Sequence, residues 1–116
     1  MQYPNDKNGR VLQSMFDKGV NLERAYQIDF FHFFKDESSA ANMAQAVEAQ
    51  FSDIKVVVSV NKVARGYDVY VSKSMQPTHQ LINEHELNFG EIAITFGGKS
   101  DGWGFESEYK KPVQPI

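Results

Sequence analysis

The sequence predicts an α+β fold: a four-stranded antiparallel sheet of the ferredoxin-like β-α-β-β-α-β type, with an extra N-terminal helix. Short aromatic or β-branched runs, which are typical of strands, alternate with longer runs of helical periodicity. Two of the strand-like runs are separated only by a short segment containing Gly66, which indicates a hairpin. The length of 116 residues suits a single domain, residues 1–116, with a core over about 6–108 and a flexible tail at 109–116.

The first predicted element is a helix over about residues 6–18. It is identified by an apolar stripe at helical spacing, formed by Val11, Leu12, Met15 and Phe16. Gly19 follows the stripe and is typical of a helix C-terminus. This helix precedes the β-α-β-β-α-β unit and is therefore the extra element of the fold.

The next predicted element is a strand over residues 26–35, because its aromatic content is high. Alternation places one set of side chains on one face: Tyr26, Ile28, Phe30, His32 and Phe34. The other face receives Gln27, Asp29, Phe31 and Phe33. Because apolar residues occupy both faces toward its end, we expect a central strand covered on both sides. Asp36 is well placed to cap the helix that follows.

Two strands are predicted over 54–63 and 67–73, followed by a long helix from Pro77 to about Phe96. The pair Gly97-Gly98 ends this helix, and a last strand, DGWGFESEY, starts at Asp101. Right-handed crossovers place the two later helices on one face of the sheet. The opposite face then needs a cover, which the N-terminal helix, a partner or a second copy in a homodimer could supply.

Composition argues against several classes of function. The net charge is −3 and no stretch clusters Lys and Arg, so we expect no direct nucleic-acid binding through a basic face. There is no cysteine, which excludes disulfides and thiolate metal sites. No apolar run reaches the roughly 20 residues of a membrane span, and the first residues are polar, so we expect a cytoplasmic protein that does not enter membranes.

The titratable residues do not form a recognisable catalytic or metal-binding pattern. His79 and His85 lie on different faces of the predicted helix, and His32 lies in a strand. Carboxylates are scattered, and no nucleophile, phosphate-binding or dinucleotide motif occurs. We therefore expect no enzyme activity, no cofactor and no metal. A hydrolase would require a deep cleft in which Asp, Glu or His side chains converge.

Two segments suggest binding. Arg65-Gly66-Tyr67 matches the first three positions of an RNA-recognition signature, although Asp68 and Val69 depart from the rest. RNA or a small ligand on the open sheet face is therefore an alternative function. The only tryptophan, Trp103, lies between two glycines and either fills the core or anchors a partner. The candidate partner-binding residues are Trp103, Asp101, Phe31, Phe33 and Tyr70.

The motif Asp101-Gly102-Trp103-Gly104 after a long helix resembles the regulators of ribonuclease E activity, type B. The run MFDKGVNLERAYQIDFFHFF at 15–34 and the alanine-rich helix at 40–49 also resemble this family, and the resemblance covers about residues 10–110. It implies a non-catalytic cytoplasmic protein that binds ribonuclease E, through the scaffold region that organises the degradosome, and inhibits RNA decay.

Overall fold

A computed structural model of the protein describes residues 3–105, which form three helices and four strands. In chain order these are α1 (Lys7–Asp17), β1 (Tyr26–Phe34), α2 (Glu37–Gln50), β2 (Ile54–Asn61), β3 (Gly66–Met75), α3 (His79–Thr95) and β4 (Lys99–Gly104). The α+β class and the order of the elements are as predicted. The predicted end of the last strand, 106–109, and the predicted tail lie outside the described residues.

The four strands form one antiparallel sheet in the order β2-β3-β1-β4. Strand β1 is central, as predicted, and pairs with β3 along its whole length, from Tyr26 opposite Met75 to Phe34 opposite Tyr67. The hairpin of β2 and β3 closes with Asn61 opposite Gly66. The Asn61 Oδ1 atom accepts a hydrogen bond from the Ala64 N–H, which explains why β2 ends earlier than predicted.

Helices α2 and α3 pack on one face of the sheet and bury the hydrophobic core there. The core is dominated by Phe89 of α3, whose ring lies 5.4 Å from that of Phe30 and 5.1 Å from that of Phe51. The Asp36 side chain caps α2 as predicted, by accepting a hydrogen bond from the Ser39 N–H. Burial of such aromatic side chains stabilises the fold by about 1.5–3 kcal/mol each.

One end of each of α3, β3 and β4 also differs from the prediction, and a contact explains each difference. The Thr78 hydroxyl accepts a hydrogen bond from the Leu81 N–H, so α3 begins after Thr78 rather than at Pro77. Strand β3 continues to Met75 because that residue pairs with the start of β1. Strand β4 begins at Lys99, which pairs with Phe33, rather than at Asp101.

Helix α1 packs against α3 and does not cover the second face of the sheet. Of the three covers considered for that face, the N-terminal helix is therefore excluded. The expectation that β1 is covered on both sides is also wrong within residues 3–105, because all three helices lie on the side of the core. The second face of the sheet, which we call the open face, carries no helix of the described chain.

Candidate partner-binding surface

The centre of the open face is an apolar row that crosses three strands. Phe31 of β1 lies opposite Tyr70 of β3, which in turn lies opposite Val57 of β2. The rings of Phe31 and Tyr70 meet edge to face, with centroids 5.3 Å apart and planes at 76°. Val57 is 40% exposed and the two rings are half-buried, so this row presents apolar area to solvent.

Phe33 lies beside this apolar row, two residues further along β1 than Phe31, and is held by its neighbours. A Cβ atom at Gly66 would lie 2.4 Å from the Phe33 ring, so only glycine lets the ring rest on the β3 backbone at this position. The Lys99 ammonium lies 6.0 Å from the ring centroid on the other side, within the range of a cation–π contact. Phe31 and Tyr70 are therefore held by their contact with each other. Phe33 is held between the β3 backbone and the Lys99 ammonium.

Two carboxylates flank the aromatic row on the central strands. Asp68 accepts hydrogen bonds from the Asn61 amide at 3.1 and 3.2 Å, and the Tyr70 hydroxyl lies 3.5 Å from it. Asp29 accepts a hydrogen bond of 2.5 Å from the Ser72 hydroxyl. Partial burial raises the pKa of Tyr70 above its usual value of 10.0, and the charges of Asp68 and Asp29 raise it further.

Trp103 lies on the helix side of the sheet, because it pairs with the buried Phe30. Its indole is partly buried against the core, and its ring stacks with that of Phe105 at 6.4 Å. Phe105 in turn stacks on Tyr26 at 4.7 Å. The indole N–H donates a hydrogen bond of 2.8 Å to the Asn8 Oδ1 atom. These contacts give Trp103 a place in the packing between β4 and α1.

Asn8 connects α1 to two other elements and was not singled out from the sequence. It is only 7% exposed, and its Nδ2 atom donates to Asn83 Oδ1 at 2.6 Å and to Glu86 Oε1 at 2.9 Å. Both its donors and its acceptor are therefore used. The available signal was its spacing, because Asn8, Leu12 and Met15 follow one another at helical intervals along the packed side of α1.

Asp101 is exposed and lies at a β-bulge. Ser100 pairs with His32 and Trp103 with Phe30, so Asp101 and Gly102 together lie opposite the single residue Phe31. Gly102 has a φ of +98°, a conformation that other residues rarely adopt. The five predicted residues are thus divided: Phe31, Phe33 and Tyr70 share the open face, Trp103 faces the helices, and Asp101 is at the edge.

His79 and Asp6 form a contact between α3 and the start of α1. His79 Nε2 lies 2.9 Å from Asp6 Oδ2, and the same carboxylate caps α1 by accepting from the Gly9 N–H. These hydrogen bonds hold the pKa of Asp6 below its usual value, with the Gly9 contact contributing most. A groove of about 280 Å³ beside His79 is lined by apolar and polar side chains in about equal number. Within residues 3–105, no group of three or more metal-ligating side chains converges.

Comparison with known proteins identifies the family. No helix in the described part of the chain has the length and apolar character needed to cross a membrane. No curated protein matches the sequence. Residues 5–105 match the family model described as regulator of ribonuclease activity B, which confirms the resemblance carried by the Asp101–Gly104 motif. The match spans nearly all the described residues, and the chain therefore belongs to the regulator of ribonuclease activity B family.

Proposed function

We propose that this protein is a non-catalytic cytoplasmic regulator that binds ribonuclease E and inhibits its RNA-decay activity. Membership of a family of ribonuclease regulators supports regulation as the function. The resemblance described above supports ribonuclease E as the target and its degradosome scaffold region as the part that is bound. The β2-β3-β1-β4 order with antiparallel pairs supports a ferredoxin-like unit as the framework for this binding.

The observation that carries the proposal is the uncovered aromatic row of the open face. The sequence predicts Phe31, Phe33 and Tyr70 as partner-binding residues, and they are neighbours on the open face of β1 and β3. Half-exposed aromatic side chains held in fixed positions are typical of the residues that dominate binding energy at protein interfaces. Trp103 and Asp101 contribute indirectly in this proposal, because they shape β4 and its bulge beside Phe31.

The alternative function is RNA binding on the same face. The charged residues of the open face give it less support. Asp29 and Asp68 lie on the two central strands, where they would repel the phosphates of a bound strand. Within the paired strands, the lysines that the register places on the open face are Lys55 and Lys99, on the outer strands. A sheet that binds RNA by base stacking needs positively charged side chains around its aromatic residues.

The first experiment measures binding and inhibition together. Purified ribonuclease E is titrated with the protein by calorimetry, and the cleavage rate of a model RNA is followed at the same concentrations. We expect the wild-type protein to bind and to slow cleavage, and the double variant Phe31→Ala with Tyr70→Ala to lose both effects. Leu87→Ala is the matched control, because Leu87 is 62% exposed on α3, away from the open face.

The outcomes separate the candidate functions. A wild-type protein that neither binds the nuclease nor slows cleavage would disprove the proposal. Labelled RNA in the absence of nuclease provides the second arm: salt-dependent RNA binding that is lost in Tyr70→Ala would favour the alternative. Sedimentation of the free protein tests the homodimer, which would place a second copy where the nuclease is proposed to bind.

A further inference from the structure

We propose that the partner segment recognised by the open face carries a basic side chain, arginine or lysine, beside an apolar one, and that this cation lies over the Phe31–Tyr70 pair between Asp29 and Asp68. The inference rests on the proposed function for the identity of the partner. It goes beyond that function because it names the chemistry by which the face recognises its ligand.

The register of the sheet places the two carboxylates on opposite sides of the aromatic pair. Phe31 and Tyr70 are direct neighbours across β1 and β3. Asp29 lies two residues before Phe31 on β1, and Asp68 lies two residues before Tyr70 on the antiparallel β3. Residues two apart on a strand are separated by about 6.7 Å and share a face. A cation above the rings would therefore have a carboxylate on each side, about 6.7 Å away along the strands.

Neither carboxylate is neutralised by the described chain. Within residues 3–105, Asp29 and Asp68 form no salt bridge, and their hydrogen bonds come from the neutral groups of Ser72, Asn61 and Tyr70. An ionised carboxylate has about four acceptor sites, so each retains capacity for a further donor. Burial contributes most to the raised pKa of Tyr70, and the charges of Asp68 and Asp29 raise that pKa further.

The distribution of charge on the open face favours a basic ligand over an acidic one at the centre. The carboxylates occupy the central strands β1 and β3, whereas Lys55 and Lys99 are on the outer strands β2 and β4. Lys99 also shows that the aromatic surface accommodates a cation, because its ammonium lies 6.0 Å from the Phe33 ring centroid. A guanidinium or ammonium over Tyr70 would make the same type of contact. It would also be attracted by the carboxylates of Asp29 and Asp68.

The test combines a charge-neutralising variant with two kinds of ligand. The double variant Asp29→Asn with Asp68→Asn removes both charges and keeps side-chain oxygens for Ser72 and Asn61. Glu48→Gln with Glu91→Gln is the control, because both glutamates are exposed on helices on the other side of the sheet. The ligands are full-length ribonuclease E, and a labelled short peptide of alternating leucine and arginine compared with its leucine–glutamate counterpart.

We expect the asparagine variant to bind ribonuclease E about tenfold more weakly than the wild type at low salt, and the glutamine control to bind within about twofold of it. The arginine peptide should bind the wild type, lose affinity for the asparagine variant, and bind more tightly than the glutamate peptide. Circular dichroism confirms that each variant is folded.

The two proposals fail in different ways. If ribonuclease E does not bind but the arginine peptide discriminates between the variants, the proposal of ribonuclease E as the partner is wrong. The proposal that the open face recognises a basic side chain is then retained. If ribonuclease E binds and the asparagine variant binds equally well, the nuclease remains the partner and the cationic anchor is wrong. Equal or tighter binding of the glutamate peptide also overturns the inference.

Discussion

The indole N–H of Trp103 and the Oδ1 atom of Asn8 are joined by a hydrogen bond of 2.8 Å across 95 residues of sequence. This bond links β4 to α1, and Asn8 continues the link to α3 through Asn83 and Glu86. Because Asn8 is almost fully buried, the loss of any partner leaves a polar group away from water. The tryptophan of the Asp101–Gly104 motif therefore contributes to the attachment of the N-terminal helix.

The first prediction concerns this attachment. Trp103→Phe keeps an aromatic ring but removes the donor, which leaves the Asn8 acceptor without its partner. We expect the free energy of unfolding to fall by about 1–3 kcal/mol, measured by urea titration with far-ultraviolet circular dichroism.

A double-mutant cycle isolates the bond from other effects. Asn8→Ala and Trp103→Phe are combined, and we expect the double variant to lose less stability than the sum of the two single losses. Asn42→Ala, at an exposed position on α2, is the control and should change stability by no more than about 0.5 kcal/mol. Strict additivity of the two single changes would contradict a direct coupling.

The second prediction concerns acid sensitivity. His32 is 1% exposed, and burial lowers its pKa below the usual 6.5, against smaller opposing effects of the Val69 carbonyl, Glu86 and Asp101. The unfolded chain therefore binds a proton at a higher pH than the folded chain. We expect stability to decrease as pH falls below about 6.5, with a slope from this residue of at most about 1.4 kcal/mol per pH unit.

Urea titrations at several pH values between 7 and 5 measure this slope. His32→Phe should flatten it, because phenylalanine has no proton to bind, whereas His79→Gln should retain the contribution of His32. A His32→Phe variant with the same pH dependence as the wild type would show that other groups are responsible.

The third prediction concerns the bulge in β4. Gly102→Ala meets open space but must adopt a φ of +98°, so the cost arises from backbone conformation. We expect a loss of about 1–2 kcal/mol in the free energy of unfolding. Gly104→Ala is the matched control in the same motif, because its Cβ would meet the Phe31 ring at an ordinary 4.0 Å. Equal costs at the two positions would contradict this explanation.

The fourth prediction concerns the electrostatics of the open face. Asp68 raises the pKa of Tyr70 through its charge and its hydrogen bond, so Asp68→Asn should lower that pKa toward 10.0. Carbon-13 NMR of labelled tyrosine rings follows Tyr70 separately from the other tyrosines. Glu91→Gln, on the opposite side of the sheet, should leave the Tyr70 titration unchanged. An unaltered titration in Asp68→Asn would remove the support that this pKa gives to a negative centre.

The sequence predicted those features that depend on local periodicity. Alternation along β1 separated the core side chains from Phe31 and Phe33, and the structure places these two on the open face as that alternation requires. The position of α1 was not predictable in this way, because it precedes the β-α-β-β-α-β unit and no strand pairing fixes it. Its place depends on contacts with distant parts of the chain, such as the burial of Leu12 and the polar contacts of Asn8.

The same kind of periodicity predicts which of the candidate residues share a face. Period-two alternation brings Tyr70 and Phe31 together once the strands pair, but it does not indicate which face a residue at a bulge will use. The bulge at Asp101 and Gly102 shifts the register of β4, and Trp103 consequently faces the helices. Asp29 and Asp68 flank the aromatic row. This arrangement could not be predicted without the register of β1 against β3.

The hydrogen bond between Asn8 and Trp103 has a consequence for folding during synthesis. Helix α1 is synthesised before the partners that hold it, which lie on α3 and β4. Until those partners are synthesised, the packed side of α1, including Leu12, has no native surface to contact. Helix α1 can therefore complete its native contacts only after the intervening sheet strands, α3 and β4 have all been translated.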